Sequence, residues 1–314
     1  MKEEIFISGR NLPMIDPNLT AWGWEIGTYL FVGGLSAGIL IFAALYTILK
    51  KENEYPTAVK WAPFLAPILL SLGLGALFID LHHKLYFWKL YTTIRLESPM
   101  SWGAWTLMVI TPLSILYSAS YLKELIPSWN WFGWKSLNNI EKQVIKMRPQ
   151  IAWVLLISGI ILGIYTGILL SAFNARPLWN TSILGPLFLA SGLSAGAATI
   201  MLMSKNAIER KMFSRIDLLM IAIELFLIIH MFMGLQAGSA ASIEAANLFL
   251  GGQFTLPFWI FVVGLGLIIP GILEVLELRG KHIPVFIPAV LILLGGLAFR
   301  FIMVEAGQIT RYLY

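Results

Sequence analysis

Trp61-Ala-Pro-Phe-Leu-Ala-Pro-Ile-Leu-Leu-Ser-Leu-Gly-Leu-Gly-Ala-Leu-Phe-Ile79 contains no acidic or basic side chain. A helix of about 20 such residues, rising 1.5 Å each, spans the roughly 30 Å hydrocarbon core of a bilayer. Phe254 to Leu273 is a second run of the same kind. Between and around them 58% of the 314 residues are hydrophobic and 12% charged, with a mean hydropathy of +0.78. Soluble domains are not built this way. Apolar runs between charged or Pro/Gly-rich breaks predict spans near 21–49, 61–82, 101–121, 149–171, 183–204, 216–236, 254–276 and 284–306.

The charges between these runs predict orientation. The connections after the first, third, fifth and seventh spans carry 14 lysines and arginines, among them Lys50, Lys51, Lys142, Lys146, Lys205 and Arg279. The termini and the remaining connections carry 7: Lys2, Arg10, Lys84, Lys89, Arg95, Arg176 and Arg311. The excess of basic residues marks the cytoplasmic side, so both termini are expected outside a cytoplasmic (inner) membrane. Residues 1–20 are polar, with Pro13 and Pro17 and no leader pattern, so the first span is expected to serve as its own insertion signal. The net charge of +5 comes from these connections and is no sign of nucleic acid binding.

The residue inventory limits the chemistry. No cysteine is present, so this protein supplies no thiolate to an iron-sulfur cluster, and any cluster must sit in a partner. The four histidines are His82, His83, His230 and His282, and His230 is the one read as properly intramembrane, which argues against a haem held by two histidines. No phosphate loop, nucleophile constellation or metal-spaced histidine cluster is found, so no metal site is expected.

Gly34-Leu-Ser-Ala-Gly38 recurs word for word as Gly192-Leu-Ser-Ala-Gly196, and Pro112 and Pro270 lie at the same offset. Small residues let membrane helices approach closely, which accounts for one such match. Agreement in two helices suggests duplication. The expected fold is therefore an all-α integral membrane protein, with eight transmembrane helices as two four-helix bundles related by an internal repeat. Its parts would be an outer N-terminal segment (1–20), a first bundle (21–175) and a second bundle (176–314).

Ionisable groups inside a membrane are costly and are site candidates for that reason. They are Glu25, Asp80, Glu224, His230, Glu274, Arg300 and Glu305. Arg176 joins them from the loop Asn174-Ala-Arg-Pro-Leu-Trp-Asn180, and Tyr165 lies about three turns before it, where its phenol could bond a ligand carbonyl. A simpler account serves some of these residues. Glu25, Glu97 and Arg176 can form interfacial ion pairs, and Trp22, Trp24, Trp88, Trp102, Trp105 and Trp179 can form an aromatic belt.

At Trp22 to Gly38, Asp80-Leu81, Glu97-Ser-Pro-Met-Ser-Trp-Gly-Ala-Trp105, Asn174 to Asn180 and Glu305-Ala-Gly-Gln308, the sequence resembles the NrfD-like family, typified by the membrane subunit of polysulfide reductase. The resemblance implies an eight-helix anchor that binds menaquinone or a related quinone near the outer surface. It implies as partners a four-cluster iron-sulfur subunit and a molybdopterin catalytic subunit on that side. It places Tyr165 at the quinone. An Asn and a His on the family's first span are not kept, and Glu25 and Tyr29 stand in their place. The expected quinone site is thus Tyr165 and Glu25, with Tyr29, Asp80 and Arg176, while Glu224, His230 and Arg300 are proton-path candidates. The alternatives are an ion-coupled secondary transporter and a purely structural membrane anchor.

Overall fold

In lipid every backbone polar group must be satisfied within the protein, and long apolar runs without strand partners do this as helices. The computed structural model describes residues 22–129 and 134–312, and the predicted segment 1–20 lies outside them. Among the described residues no strand occurs and eight helices are long and apolar enough to cross a membrane. They are α1 (Trp24–Ile48), α2 (Thr57–Asp80), α3 (Pro99–Leu125), α4 (Arg148–Ser171), α5 (Leu184–Met203), α6 (Ala207–Gln236), α7 (Pro257–Leu278) and α8 (Phe286–Ile309). An even number of crossings puts Trp22 and Tyr312 at the same end of the molecule, here named the terminal face; the opposite end is the basic face.

The largest departure from the predicted spans is α6. It begins at Ala207 rather than near residue 216, so Arg210, Lys211 and Arg215 ride on its first turns. A helix of 30 residues is about 45 Å long and overshoots the hydrocarbon, which lets its charged start extend into water.

Helix α1 packs on α2, α4, α5 and α8, and α5 packs on α1, α4, α6 and α8. One continuous apolar core therefore crosses the division between residues 175 and 176. The two Gly-Leu-Ser-Ala-Gly copies meet there: a Cβ on Gly192 would lie 2.7 Å from the Gly34 carbonyl oxygen, and one on Gly196 2.7 Å from the Gly38 carbonyl carbon. This close crossing explains the glycines by itself, whatever their evolutionary origin.

At the basic face, buried charge ties the helices together. Glu209 is fully buried and accepts from the Ala58 backbone N–H (2.8 Å) and the Ser204 hydroxyl (2.7 Å), joining the starts of α2 and α6. Glu124 accepts from Arg148 (2.6 Å) and Lys60 (3.0 Å).

Candidate functional site

At the terminal end of α1 to α4 lies a cavity of about 460 Å³. That is within the usual range for small-molecule sites, roughly 300 to 1,000 Å³. Helical spacing builds its walls. Ile26 and Tyr29 of α1 face it, as do Met100, Gly103, Ala104 and Leu107 of α3, and Tyr165 and Leu169 of α4. Its polar groups are few: Tyr29 and Tyr165, 3% and 7% exposed, with half-buried Asp80 at the end of α2 and Tyr91 in the following connection. Burial pushes the Tyr91 phenol above the usual tyrosine range, so it remains a donor at physiological pH.

Gly103 sets the position of Tyr165. A Cβ at residue 103 would fall within the Tyr165 ring and against its hydroxyl. Gly103→Ala should therefore swing the phenol out of place and lower ligand affinity about tenfold or more with the protein still folded, which ligand titration of the purified variant would measure. A side chain at Gly73 would likewise press on Tyr29, with its Cβ 3.3 Å from that ring.

The remaining expected residues lie elsewhere. Glu25 is half-buried in the first turn of α1, its carboxylate turned back against Gly23, close enough to feel Asp80 but not part of the cavity wall. Arg176 is also outside the wall. Its guanidinium donates to the carbonyls of Gln308 (3.0 Å) and Thr310 (2.7 Å), strapping the α4–α5 connection to the end of α8. Trp179 donates to the Met303 carbonyl (2.8 Å), and Asn180 to the Tyr312 hydroxyl (2.8 Å). Gln308 completes the strap by pairing with both backbone groups of Trp22, at 2.9 and 3.0 Å.

This strap corrects part of the aromatic-belt reading. Trp179 is 1% exposed and packs edge-on or tilted against Trp22 and Phe173, both of which line the cavity. Trp24, Trp88 and Trp102 are exposed as a belt requires. The aromatic cluster leads from the cavity to the terminal face.

The proton-path candidates separate. Glu224 and Arg300 are buried within electrostatic reach of one another in the second half. His230 is exposed on the outer surface of α6, its Nδ1 2.8 Å from the Phe226 carbonyl and its ring against Phe226. Six residues from Glu224, it falls on a different side of the helix. Sequence reading omitted Asp217, which is fully buried beside Glu274. It follows Arg210, Lys211 and Arg215 so closely that it read as the edge of a loop. The signal was a carboxylate one turn inside an apolar run.

Comparison with known proteins places this architecture. A profile described as "Polysulphide reductase, NrfD" matches residues 14–311. The chain belongs to the NrfD family. It is 35% identical to a membrane-family relative from Wolinella succinogenes that is one of the chains of polysulfide reductase, over 93% of this sequence and 95% of that protein. It is 31% identical to protein NrfD of Escherichia coli, over 92% and 95% of the two sequences. It is also 26% identical to one of the subunits of selenate reductase from Mesobacillus selenatarsenatis, over 93% of this sequence and 75% of that one. This NrfD-family member is thus a multi-pass membrane protein whose relatives include subunits of reductases.

Proposed function

We propose that this protein is the quinol-oxidising membrane subunit of a respiratory reductase and that the α1–α4 cavity holds the quinone ring. The observation that carries the reading is a mostly apolar cavity with a buried tyrosine hydroxyl, Tyr165, that has no protein hydrogen-bond partner among the described residues. Such a group is suited to a ligand oxygen. A bound quinol would supply two electrons and two protons on oxidation. Tyr165 would hold one ring oxygen and Tyr29 would close the same wall. Asp80, half-buried at the cavity rim, would accept a released proton, with Glu25 beside it as the next acceptor toward water. Arg176 would act by fixing the strap that carries Phe173 and Trp179.

Two of the relatives are each one part of a larger reductase, which supports a multi-subunit assembly here. The family resemblance supports a four-cluster iron-sulfur subunit, with a molybdopterin catalytic subunit beyond it. They would dock on the terminal face, which the distribution of basic residues places outside the cytoplasmic membrane. The aromatic cluster of Trp22, Phe173 and Trp179 separates the cavity from that face by a short distance, as electron exit requires. Mild-detergent purification with quinone and metal analysis tests the reading. Bound menaquinone, iron, and molybdenum or tungsten in cysteine-rich co-purifying proteins are the expected result. A lone protein that stays intact without quinone would refute it.

A further inference from the structure

Helices α5 to α8 enclose a set of ionisable side chains that the quinol cavity does not use. Asp217 and Glu274 are fully buried, Glu224 is 4% exposed and Arg300 2%. Asp217 of α6 lies beside Glu274 of α7, flanked by Ser194 of α5 and Ser214 of α6. Glu224, about 10 Å further along α6, lies beside Ser191 and within electrostatic reach of both Asp217 and Arg300. Glu277, one turn nearer the basic face than Glu274, is half-buried next to it. The series therefore steps from the basic face toward the middle of the bundle. Arg300 ends it, donating to the Phe188 carbonyl (3.0 Å) and lying against Gly34 of α1, the helix whose Tyr29 lines the cavity.

Two observations indicate what these groups hold. Both carboxylate oxygens of Asp217 and of Glu274, one of Glu224, the hydroxyls of Ser194 and Ser214, and two nitrogens of Arg300 lack a hydrogen-bond partner among the described residues. Buried polar groups without partners are rare and point to something unseen between them. A void of about 10 Å³, walled by Ser191, Ser194 and Glu224, lies on the line from Asp217 to Glu224. It is about the size needed for one water, with the polar partners a water requires.

Charge balance names the cargo. Three carboxyls face one guanidinium, so full ionisation would leave two uncompensated negative charges buried. Among the described residues no three acidic or histidine side chains form a metal-ligating group. Protons balance such a cluster without one.

We propose that Glu274, Asp217 and Glu224 form a proton-exchange path in the second half, entered from the basic face past Glu277, with one buried water between Ser194 and Glu224, and ending at Arg300. Each step breaks an O–H bond on one carboxyl or water as an O–H bond forms on the next oxygen, and no electrons move. The path stands apart from the quinol reading and needs no quinone.

Infrared spectroscopy of the purified full-length protein during exchange from H₂O into D₂O tests it. The wild type should show exchangeable carboxylic-acid C=O bands, with one component lost in Asp217→Asn and one in Glu274→Gln. Absence of any exchangeable band removed by either variant would overturn the proposal. Should the carboxamide variants fail to accumulate, Ser194→Ala carries the test. Loss of the hydroxyl link should slow exchange at Glu224 about 10²-fold, and an unchanged rate would overturn the path. Quinol oxidation by the detergent-purified complex should be the same in Asp217→Asn as in wild type, so a failure of the quinol site is read separately.

Discussion

Tyr165→Phe should lower quinol-linked turnover about 10²-fold, the lower end of what a positioned proton donor or acceptor contributes, with the complex still assembled. The substitution keeps the ring that fills the space against Gly103 and removes the hydroxyl alone. Because Tyr165 is 7% exposed and its hydroxyl has no protein partner among the described residues, its loss should cost little stability. The effect on turnover then reads the ligand contact. Tyr29→Phe serves as a graded companion: the same cavity wall is changed, and a smaller loss is expected because Tyr165 still holds the ring oxygen. The measurement is steady-state oxidation of a menaquinol analogue by the detergent-purified complex, with quinone content determined on the same samples. Wild-type turnover in Tyr165→Phe would remove the hydroxyl from the mechanism and favour a protein that only anchors its partners. Reduced turnover with normal quinone content would put the hydroxyl in the chemistry, whereas loss of both would put it in binding.

How far the residues could be read from sequence depended on the range of the physics involved. Uncharged runs such as Trp61 to Ile79 are set by bilayer thickness, a constraint that acts on consecutive residues and is visible in any window of about 20. The helical fold and the family were accessible at that level. Which side of a helix a residue occupies depends on its neighbours in space, and there the reading diverged. His230 lies in a span, like Glu224, yet the first is on the outer surface and the second is buried. Arg176 stands in a motif that resembles a site, but its donors are spent on the backbone carbonyls of α8, residues more than a hundred positions away. Trp179 reads as one more interfacial tryptophan, although Gly307 leaves room for its ring: a Cβ at 307 would occupy the same space. Asp217 was hidden by the opposite problem. The arginines before it mark a membrane boundary in sequence, whereas α6 continues well past the hydrocarbon before that boundary is reached in space.

The crossing of α1 and α5 gives the second large effect. Gly38→Ala should destabilise the protein by about 3 kcal/mol or more, lowering the amount of folded material recovered from the membrane. The added Cβ would overlap the Gly192 carbonyl oxygen. Backbone atoms cannot rotate aside as a side chain can, so the two helices must separate. In lipid that loss is not offset by a hydrophobic driving force, since helix association there rests largely on close packing. Separation would also be transmitted, because α1 packs on α2 and α4 as well as on α5 and α8, and α1 and α4 position Tyr29 and Tyr165. Gly234→Ala is the control. A Cβ there meets nothing within 4 Å, and exchanging a helical glycine for alanine in open space should be neutral or slightly stabilising. Thermal unfolding of both variants in the same mild detergent decides the matter. A Gly38→Ala variant that melts with the wild type would mean that the Gly-Leu-Ser-Ala-Gly segments do not cross as closely as the structure has them. A large loss confined to Gly38→Ala would show that the two halves are held together at one backbone contact. In that case the quinol cavity in the first half and the buried carboxyls in the second would share a fixed frame, and α1 would be the element through which either could act on the other.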